Sequence, residues 1–335
     1  MKYLVTGGLG FIGSNLCKHL SKNKKNEIFI IDNMSYAGSK TSLPELKKRK
    51  NLNHLNCSIL DKNKIKKILL DVKPDFLMHL AAETHVDRSI KGPRRFIETN
   101  ILGTFNLLEA SKELKQIKDN FLFLHVSTDE VFGDLGKSKK LFTEKTRYSP
   151  SSPYSASKAS SDHLVRAWAK TFDLEYIITN CSNNYGQFQH PEKLIPTIII
   201  SAISNKNIPI YGNGLQKRDW LHVNDHVTAL ELIAKKGKRM ETYLIGGGNH
   251  LTNLSVVKKI CDILDKTKKI KKENSFSDLI SFVQDRPGHD TSYAIDSSFL
   301  KKELMWSPNV SFDKGLEKTV NWYLDNEKWW KPLLK

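Results

Sequence analysis

The feature that most constrains what this chain can fold into is a glycine-rich turn set between a strand and a helix. Residues 2–6 are a short apolar run, and Thr6-Gly7-Gly8-Leu9-Gly10-Phe11-Ile12-Gly13 follows at once, opening a helical pattern over 11–22. Glycines at 7, 10 and 13 allow a tight turn, close approach of backbone N–H groups to a pyrophosphate, and close packing of helix on strand. A glycine triplet alone is weak evidence, but between a strand and a helix it predicts a dinucleotide site. Asp32 ends the second apolar run, 19 residues after Gly13. A carboxylate there accepts bonds from both ribose hydroxyls and repels a 2′-phosphate, which favours NAD over NADP. Taken alone, Asp32-Asn33 also reads as an ordinary turn.

Further apolar runs at 27–31, 76–80, 121–127 and 175–180, with a weaker one at 52–56, alternate with helical patterns at 61–70, 95–113 and 153–172. That alternation predicts an α/β fold, a Rossmann-type doubly wound parallel sheet, over residues 1–180. Pro153 suits a helix start. After Asn180 the pattern loosens into short strands at 208–211 and 242–245 and helices near 224–234, 253–265 and 312–327. These predict a smaller C-terminal α/β substrate-binding domain over 181–335, with some later segments returning to the first. Trp322, Trp329 and Trp330 suit core or subunit-interface packing better than a ligand box.

The chemistry concentrates in Ser127-Thr128-Asp129-Glu130-Val131 and Tyr154-Ser-Ala-Ser-Lys158. Tyr154 and Lys158 are four apart in a helical segment and share one face. A free phenol keeps its proton to about pH 10; a neighbouring ammonium and a positive nicotinamide both favour phenolate. With the Thr128 hydroxyl alongside, these are the parts needed to take a proton and a hydride from an alcohol. Asp129 and Glu130 are consecutive, so in a continuing strand they would point to opposite faces. The strand must end at about Ser127 for both to reach one ligand, at the carboxyl edge of the sheet where ligands bind. Two carboxylates in unlike environments can divide into an acid and a base. Removal of water would use both, and an ordinary dehydrogenase needs neither.

Composition bounds the rest. With 39% hydrophobic and 27% charged residues over 335 positions, the chain is an ordinary globular one with a sizeable core. The formal charge of +17 is spread along the sequence, in runs such as 22–25, 47–50, 62–67 and 266–272, with few aromatics interleaved. It reads as lysine-rich surface rather than a nucleic-acid footprint. No apolar run approaches a membrane span, and the chain opens in a strand with no signal core, so a cytoplasmic protein is expected. Cys17, Cys57, Cys181 and Cys261 have no paired spacing, which fits a reducing compartment. His222 and His226 have a spacing metals use, but no third ligand is in register, so a helix start is the better reading and no metal is expected.

The spacing Gly-x-x-Gly-x-x-Gly leans toward the short-chain dehydrogenase/reductases, and the whole chain resembles their extended members, the dTDP-glucose 4,6-dehydratase family. Residues 6–15, Asp32-Asn-Met-Ser-Tyr-Ala-Gly38, 81–90, Glu98-Thr-Asn100, 127–133, 150–162, 181–186, 191–196, 209–212, 218–221, 285–290 and 293–296 carry the likeness. The glycine loop and Tyr/Lys pair are general to the superfamily, whereas Thr128-Asp129-Glu130, 191–196 and 285–290 are specific to the dehydratases. The resemblance implies a lyase that oxidises the glucose at C4, eliminates water across C5 and C6, and returns the hydride to C6. Thr128, Asp129, Glu130, Tyr154 and Lys158 would be catalytic. Gly7, Gly10, Phe11, Ile12, Gly13, Asp32, Asn33, Ser35, Ser58, Ile59, Leu80, Ala81, Ala82, Thr99, Tyr154, Lys158 and Asn184 would hold NAD. Thr84, Thr128, Asn183, Lys193, Leu194, Pro209, Tyr211, Arg218, Asn253, Arg286 and His289 would line the sugar-nucleotide site. A homodimer through helices near 95–113 and 153–172 is implied too. Ser58-Ile59 stands where the family has an acidic residue and isoleucine that bond the adenine amino group, and Thr291-Ser292 replaces arginines. The open alternatives are the same elimination, or a 4-epimerisation, on a UDP- or GDP-sugar. An epimerase would not need Asp129-Glu130.

Overall fold

Six short runs rich in β-branched and aromatic residues form strands: β1 (Lys2–Thr6), β2 (Glu27–Asp32), β3 (Leu52–Asn56), β4 (Phe76–His79), β5 (Leu122–Thr128) and β6 (Tyr176–Cys181). All seven residues of β5 and all six of β6 are buried, the mark of a parallel sheet covered on both faces. Six further strands follow: β7 (Asn183–Tyr185), β8 (Ile208–Tyr211), β9 (Lys217–His222), β10 (Thr242–Ile245), β11 (His250–Thr252) and β12 (Ile280–Val283). The computed structural model describes residues 1–138, 140–267 and 274–334; residues 268–272 of the lysine run at 266–272 lie outside it.

The central sheet has the order β10-β6-β5-β4-β1-β2-β3, and every pair in it is parallel. Its order reverses between β1 and β4, the switch point where ligands of such sheets sit. β10 joins this sheet although it follows residue 181, and the helix Val223–Lys236 packs on the first helix, α1 (Phe11–Leu20). One apolar core fills the α1 side of the sheet. A second fills the other side, under α2 (Lys62–Val72), α3 (Gly103–Lys115) and α4 (Pro153–Phe172). The sheets β11-β9-β7 and β12-β8, with helices Leu194–Ile203, Asn253–Lys266 and Phe312–Asp325, surround a third core holding Tyr185, Trp220 and Leu316.

Helix starts follow local chemistry. In α4, the Ser152 and Ser155 side chains bond each other's backbone N–H in a capping box, with Pro153 in the first turn. Asp61 caps α2 by accepting from Lys64 N–H. Two predicted helices differ from their patterns. The segment read as one helix over 95–113 contains a π-helical stretch, Ile97–Leu102, ahead of α3. There the Asn100 side chain accepts from Glu83 N–H at 2.8 Å and donates to Glu83 O at 3.0 Å, anchoring that widened turn to the chain after β4. The last helix, read as 312–327, stops at Asp325, where the Asn326 side chain turns back to Trp322 O. Trp322 and Trp329 pack edge-on to Phe188, and Trp330 is buried. The tryptophan cluster is therefore core.

Candidate active site

The glycine turn is shaped by contacts that leave no room for side chains. Gly7 adopts φ +69°, and a Cβ on it would lie 2.8 Å from Ala81 Cα. A Cβ on Gly13 would lie 2.1 Å from Gly7 O, so α1 can pack this closely only with glycine there. Gly10 occupies the N-cap and brings no side-chain acceptor. The first-turn N–H groups, with the positive end of the helix dipole, are thus available to an anion. Asp32, at the end of β2, is fixed by Leu9 N–H at 2.9 Å and Met34 N–H at 2.7 Å. Burial pushes its carboxyl up, and those two bonds work against burial.

These groups open onto a cavity of about 1050 Å³ that runs across the switch point. All the residues expected at the cofactor line it: Gly7, Gly10, Phe11, Ile12, Gly13, Asp32, Asn33, Ser35, Ser58, Ile59, Leu80, Ala81, Ala82, Thr99, Tyr154, Lys158 and Asn184. Thr84, Thr128, Asp129, Glu130, Asn183 and Lys193 line it too. Ser58 does so with its hydroxyl accepting from Leu60 N–H, and Lys193 with its ammonium donating to Thr84 O at 2.8 Å.

At the carboxyl edge of β5 the chain does what two adjacent carboxylates require. The strand ends at Thr128, and Asp129–Phe132 turns into a 3-10 helix capped by the Thr128 hydroxyl. Asp129 and Glu130 therefore meet the same cavity. Asp129 is 2% exposed; burial, then the charges of Glu130 and Asp219, hold its carboxyl well above the usual range. Glu130 is raised as well, chiefly by burial, but Arg286, Arg218 and Lys193 oppose that. The environments differ in the sense that splits an acid from a base. The Thr128 hydroxyl donates to Asp129 Oδ1 at 3.4 Å, and it pulls the Tyr154 phenol down, against burial.

Tyr154 departs from expectation. Burial first, then Glu130 and Cys181, push its phenol well above 10. Lys158 does not reverse this, because its ammonium donates to Val126 O at 2.9 Å and is itself pulled down by burial. The protein alone keeps Tyr154 protonated.

Seven expected substrate residues lie outside the cavity wall. Leu194 packs against the third core. Pro209 is exposed on β8, and Asn253, buried, opens its helix with Oδ1 lacking a hydrogen bond. The other four form an outer group: Arg286 pairs with Asp87 at 3.3 Å, Tyr211 donates to the same carboxylate at 3.2 Å, and His289 lies edge-on to Tyr211. Arg218 is 5% exposed, donates to Asp290 O, and stacks over Tyr293 at 4.3 Å. Thr291 and Ser292 both bond Asp134.

Sequence reasoning missed Arg88 and Glu192, which line the cavity and pair at 2.9 Å across 104 positions, with Arg88 stacked 4.0 Å over Tyr36. Both sit inside motifs noticed for other residues, but nothing in one sequence couples them.

Residues 4–319 match the family model described as GDP-mannose 4,6 dehydratase. The chain is 50% identical to the dTDP-glucose 4,6-dehydratase of Salmonella typhimurium, over 98% of this chain and 94% of that protein. With the Neisseria meningitidis dTDP-glucose 4,6-dehydratase identity is 49%, over 99% and 96%. The chain belongs to the dTDP-glucose 4,6-dehydratase family. Among solved structures, the family's DesIV from Streptomyces venezuelae, with NAD and TYD bound, superposes with a TM-score of 0.92 at 38% identity, covering 99% of this chain and 100% of that one. The Bacillus anthracis dTDP-glucose 4,6-dehydratase in complex with NAD gives 0.87 at 41%, covering 99% of each. A UDP-glucose 4-epimerase from Thermotoga maritima gives 0.86 at 28%, covering 98% of this chain and 100% of that one. The fold is thus shared between eliminating and epimerising enzymes, and the site has to separate them.

Proposed function

We propose that this chain is a dTDP-glucose 4,6-dehydratase, a lyase that forms dTDP-4-dehydro-6-deoxy-glucose. The observation that carries this is the turn after Thr128, which brings Asp129 and Glu130 together beside Tyr154 and Lys158. Oxidation and return of a hydride at one carbon would use Tyr154, Thr128 and Lys158 alone. Names of relatives at about half identity point the same way.

NAD fits the first half of the cavity. The Gly7–Gly13 cradle is one that a single Cβ would fill, α1 presents its N-terminus, and Asp32 suits a ribose diol and disfavours a 2′-phosphate. What NAD supplies when bound is a carrier that takes the C4 hydride and gives it back at C6. The residues do the rest. Tyr154 takes the C4-hydroxyl proton, with Thr128 holding that oxygen; its phenolate form would need a positive charge in the cavity beyond that of Lys158. The 4-ketone acidifies C5, and Glu130, its carboxylate favoured by three cations, removes that proton and returns it to C5 when the hydride arrives at C6. Asp129, kept protonated by burial, gives its proton to the departing C6 hydroxyl. Tyr154 ends with one proton gained and Asp129 with one lost. The Thr128 hydroxyl, bonded to Asp129 and acting on Tyr154, is the group placed to return it.

Arg218 and Arg286 would meet the diphosphate, where guanidinium forks match phosphate oxygens; Arg286 would then exchange Asp87 for the ligand. Leu194, Pro209, Tyr211, Asn253 and His289 would hold the nucleoside. Exposed Ile97, Leu102 and Phe172, on the helical stretches ahead of α3 and in α4, support a homodimer there. Among the described residues no helix is long and apolar enough to cross a membrane, which supports the cytoplasmic reading; no nucleic-acid partner is proposed.

The test is mass spectrometry of the purified protein with dTDP-glucose, UDP-glucose and GDP-mannose. Loss of one water from dTDP-glucose is expected. Loss from another sugar nucleotide instead would move the substrate, and no loss even with added NAD would overturn the reading.

A further inference from the structure

The helix face that carries the Tyr/Lys pair does not stop at Lys158. Tyr154, Lys158 and Asp162 recur at four-residue spacing on α4, and Asp162 is 0% exposed. The Nε2 edge of His125, from β5 and also 0% exposed, faces both Lys158 and Asp162. Its Nε2 lies 3.5 Å from Lys158 Nζ and 3.1 Å from Asp162 Oδ1. The second carboxylate oxygen, Oδ2, accepts from Tyr148 at 2.8 Å, Ser127 at 2.9 Å and Asn180 at 3.4 Å, while Oδ1 has no well-directed hydrogen bond. A buried carboxylate with one oxygen left facing an imidazole and an ammonium is costly as structure alone. Its bonded oxygen is fixed by three donors, so the free one is aimed.

We propose that His125 and Asp162 are positioning residues for Lys158, holding its head in place and charged by setting a carboxylate beside the imidazole nitrogen that the ammonium also meets. The role of Lys158 rests on the dehydratase reading. A lysine ammonium buried to 4% exposure loses hydration that favours its charge. The groups that act on this head are His125 from β5, His79 from β4, Cys181 from β6, and Asp162 from its own helix, with Tyr154 one turn away on the same face. Arg166 and Tyr148 act one contact further out, on His125 and Asp162. Among these, Asp162 is the carboxylate acting on Lys158. His125 is itself held neutral at pH 7, near 4, first by burial and then by Lys158, so it adds no competing charge.

Asp162→Asn keeps the shape and removes the charge. The sign is fixed: without the carboxylate Lys158 loses its proton at lower pH, so the alkaline limb of kcat/KM moves down. Above neutral pH, kcat/KM falls on the order of tenfold or more, the effect of removing a nearby opposite charge. Asp162→Glu restores part of the limb. The 15N NMR titration of lysine Nζ, read on the NAD-loaded protein, moves the same way, and this readout survives even if the substrate is misassigned. His125→Gln, which keeps the carboxylate, gives a smaller shift of the same sign with a loss of kcat. A melting temperature that drops while the limb and the Nζ titration stay at wild-type values would reduce the pair to core structure and overturn the proposal. So would a His125→Gln enzyme with unchanged kcat and limb, which decides the matter if Asp162→Asn does not fold.

Discussion

Asp129→Asn separates the two carboxylates most sharply. Asparagine fills the same space but has no proton to give to a leaving hydroxyl. A positioned general acid contributes about 10²–10⁴-fold, which at 1.36 kcal/mol per tenfold is roughly 3–5 kcal/mol of barrier. Water loss should fall by that factor. Proton removal at C5 belongs to Glu130 and should continue, so in D2O the variant should exchange the C5 hydrogen for deuterium much faster than it forms dehydrated product. Glu130→Gln should lose both. NMR at C5, read beside product formation by mass spectrometry, measures the two rates in one sample. The wild type should also lose elimination as pH rises through the raised titration of Asp129, whose causes are burial and then Glu130 and Asp219. Stability follows the same sign. A carboxyl raised by folding contributes stability below its unfolded value that is lost as pH climbs through the folded one, so Asp129→Asn should gain relative stability as pH increases over that window. If C5 exchange fell as far as elimination, the division of labour between Asp129 and Glu130 would be wrong.

The remaining predictions test the framework. Ser58→Asp restores a carboxylate at the wall beside Ile59, and one added hydrogen bond of about 0.5–1.5 kcal/mol should tighten NAD roughly two- to tenfold by calorimetry; unchanged affinity would place adenine elsewhere. Gly13→Ala puts a methyl 2.1 Å from Gly7 O, so it should cost about 1–3 kcal/mol of stability as overpacking and lower the NAD content of the purified protein. Leu316→Ala, at 0% exposure in the third core, should cost about 2–5 kcal/mol in denaturant unfolding, with the wall around Asp129 unchanged and kcat kept in the folded fraction.

Legibility followed the range of the physics. The glycine turn, the strand alternation and the β5 edge are local, and each was readable because a few adjacent residues force one geometry: Gly13 permits no Cβ, and Asp129-Glu130 permit no strand. Even the π-helical stretch has a local anchor in Asn100, but its partner at Glu83 is 17 positions away, and the pattern over 95–113 gave only a helix. The placement of β10 next to β6 depends on the loosened second half folding back. The sequence could only suggest such a return.

What escaped was charge at a distance. The Tyr/Lys motif predicts a lowered phenol, yet burial of both groups acts the other way, and burial is a property of the assembled fold. The same holds for Arg88 with Glu192 and for His125 with Asp162, pairs separated by 104 and 37 positions whose members look like surface or strand residues one at a time. A site of this kind therefore has two layers of information. Residue types and spacing name the groups that touch the substrate, while the protonation each must hold is set by partners that only packing brings near. Tyr154 is the sharpest instance. Its motif is readable at a glance, but its protonation is governed first by burial, then by Glu130 on another element, and by whatever positive charge the cavity holds. Chemistry at C4 should therefore depend on a filled cofactor site more steeply than substrate binding does.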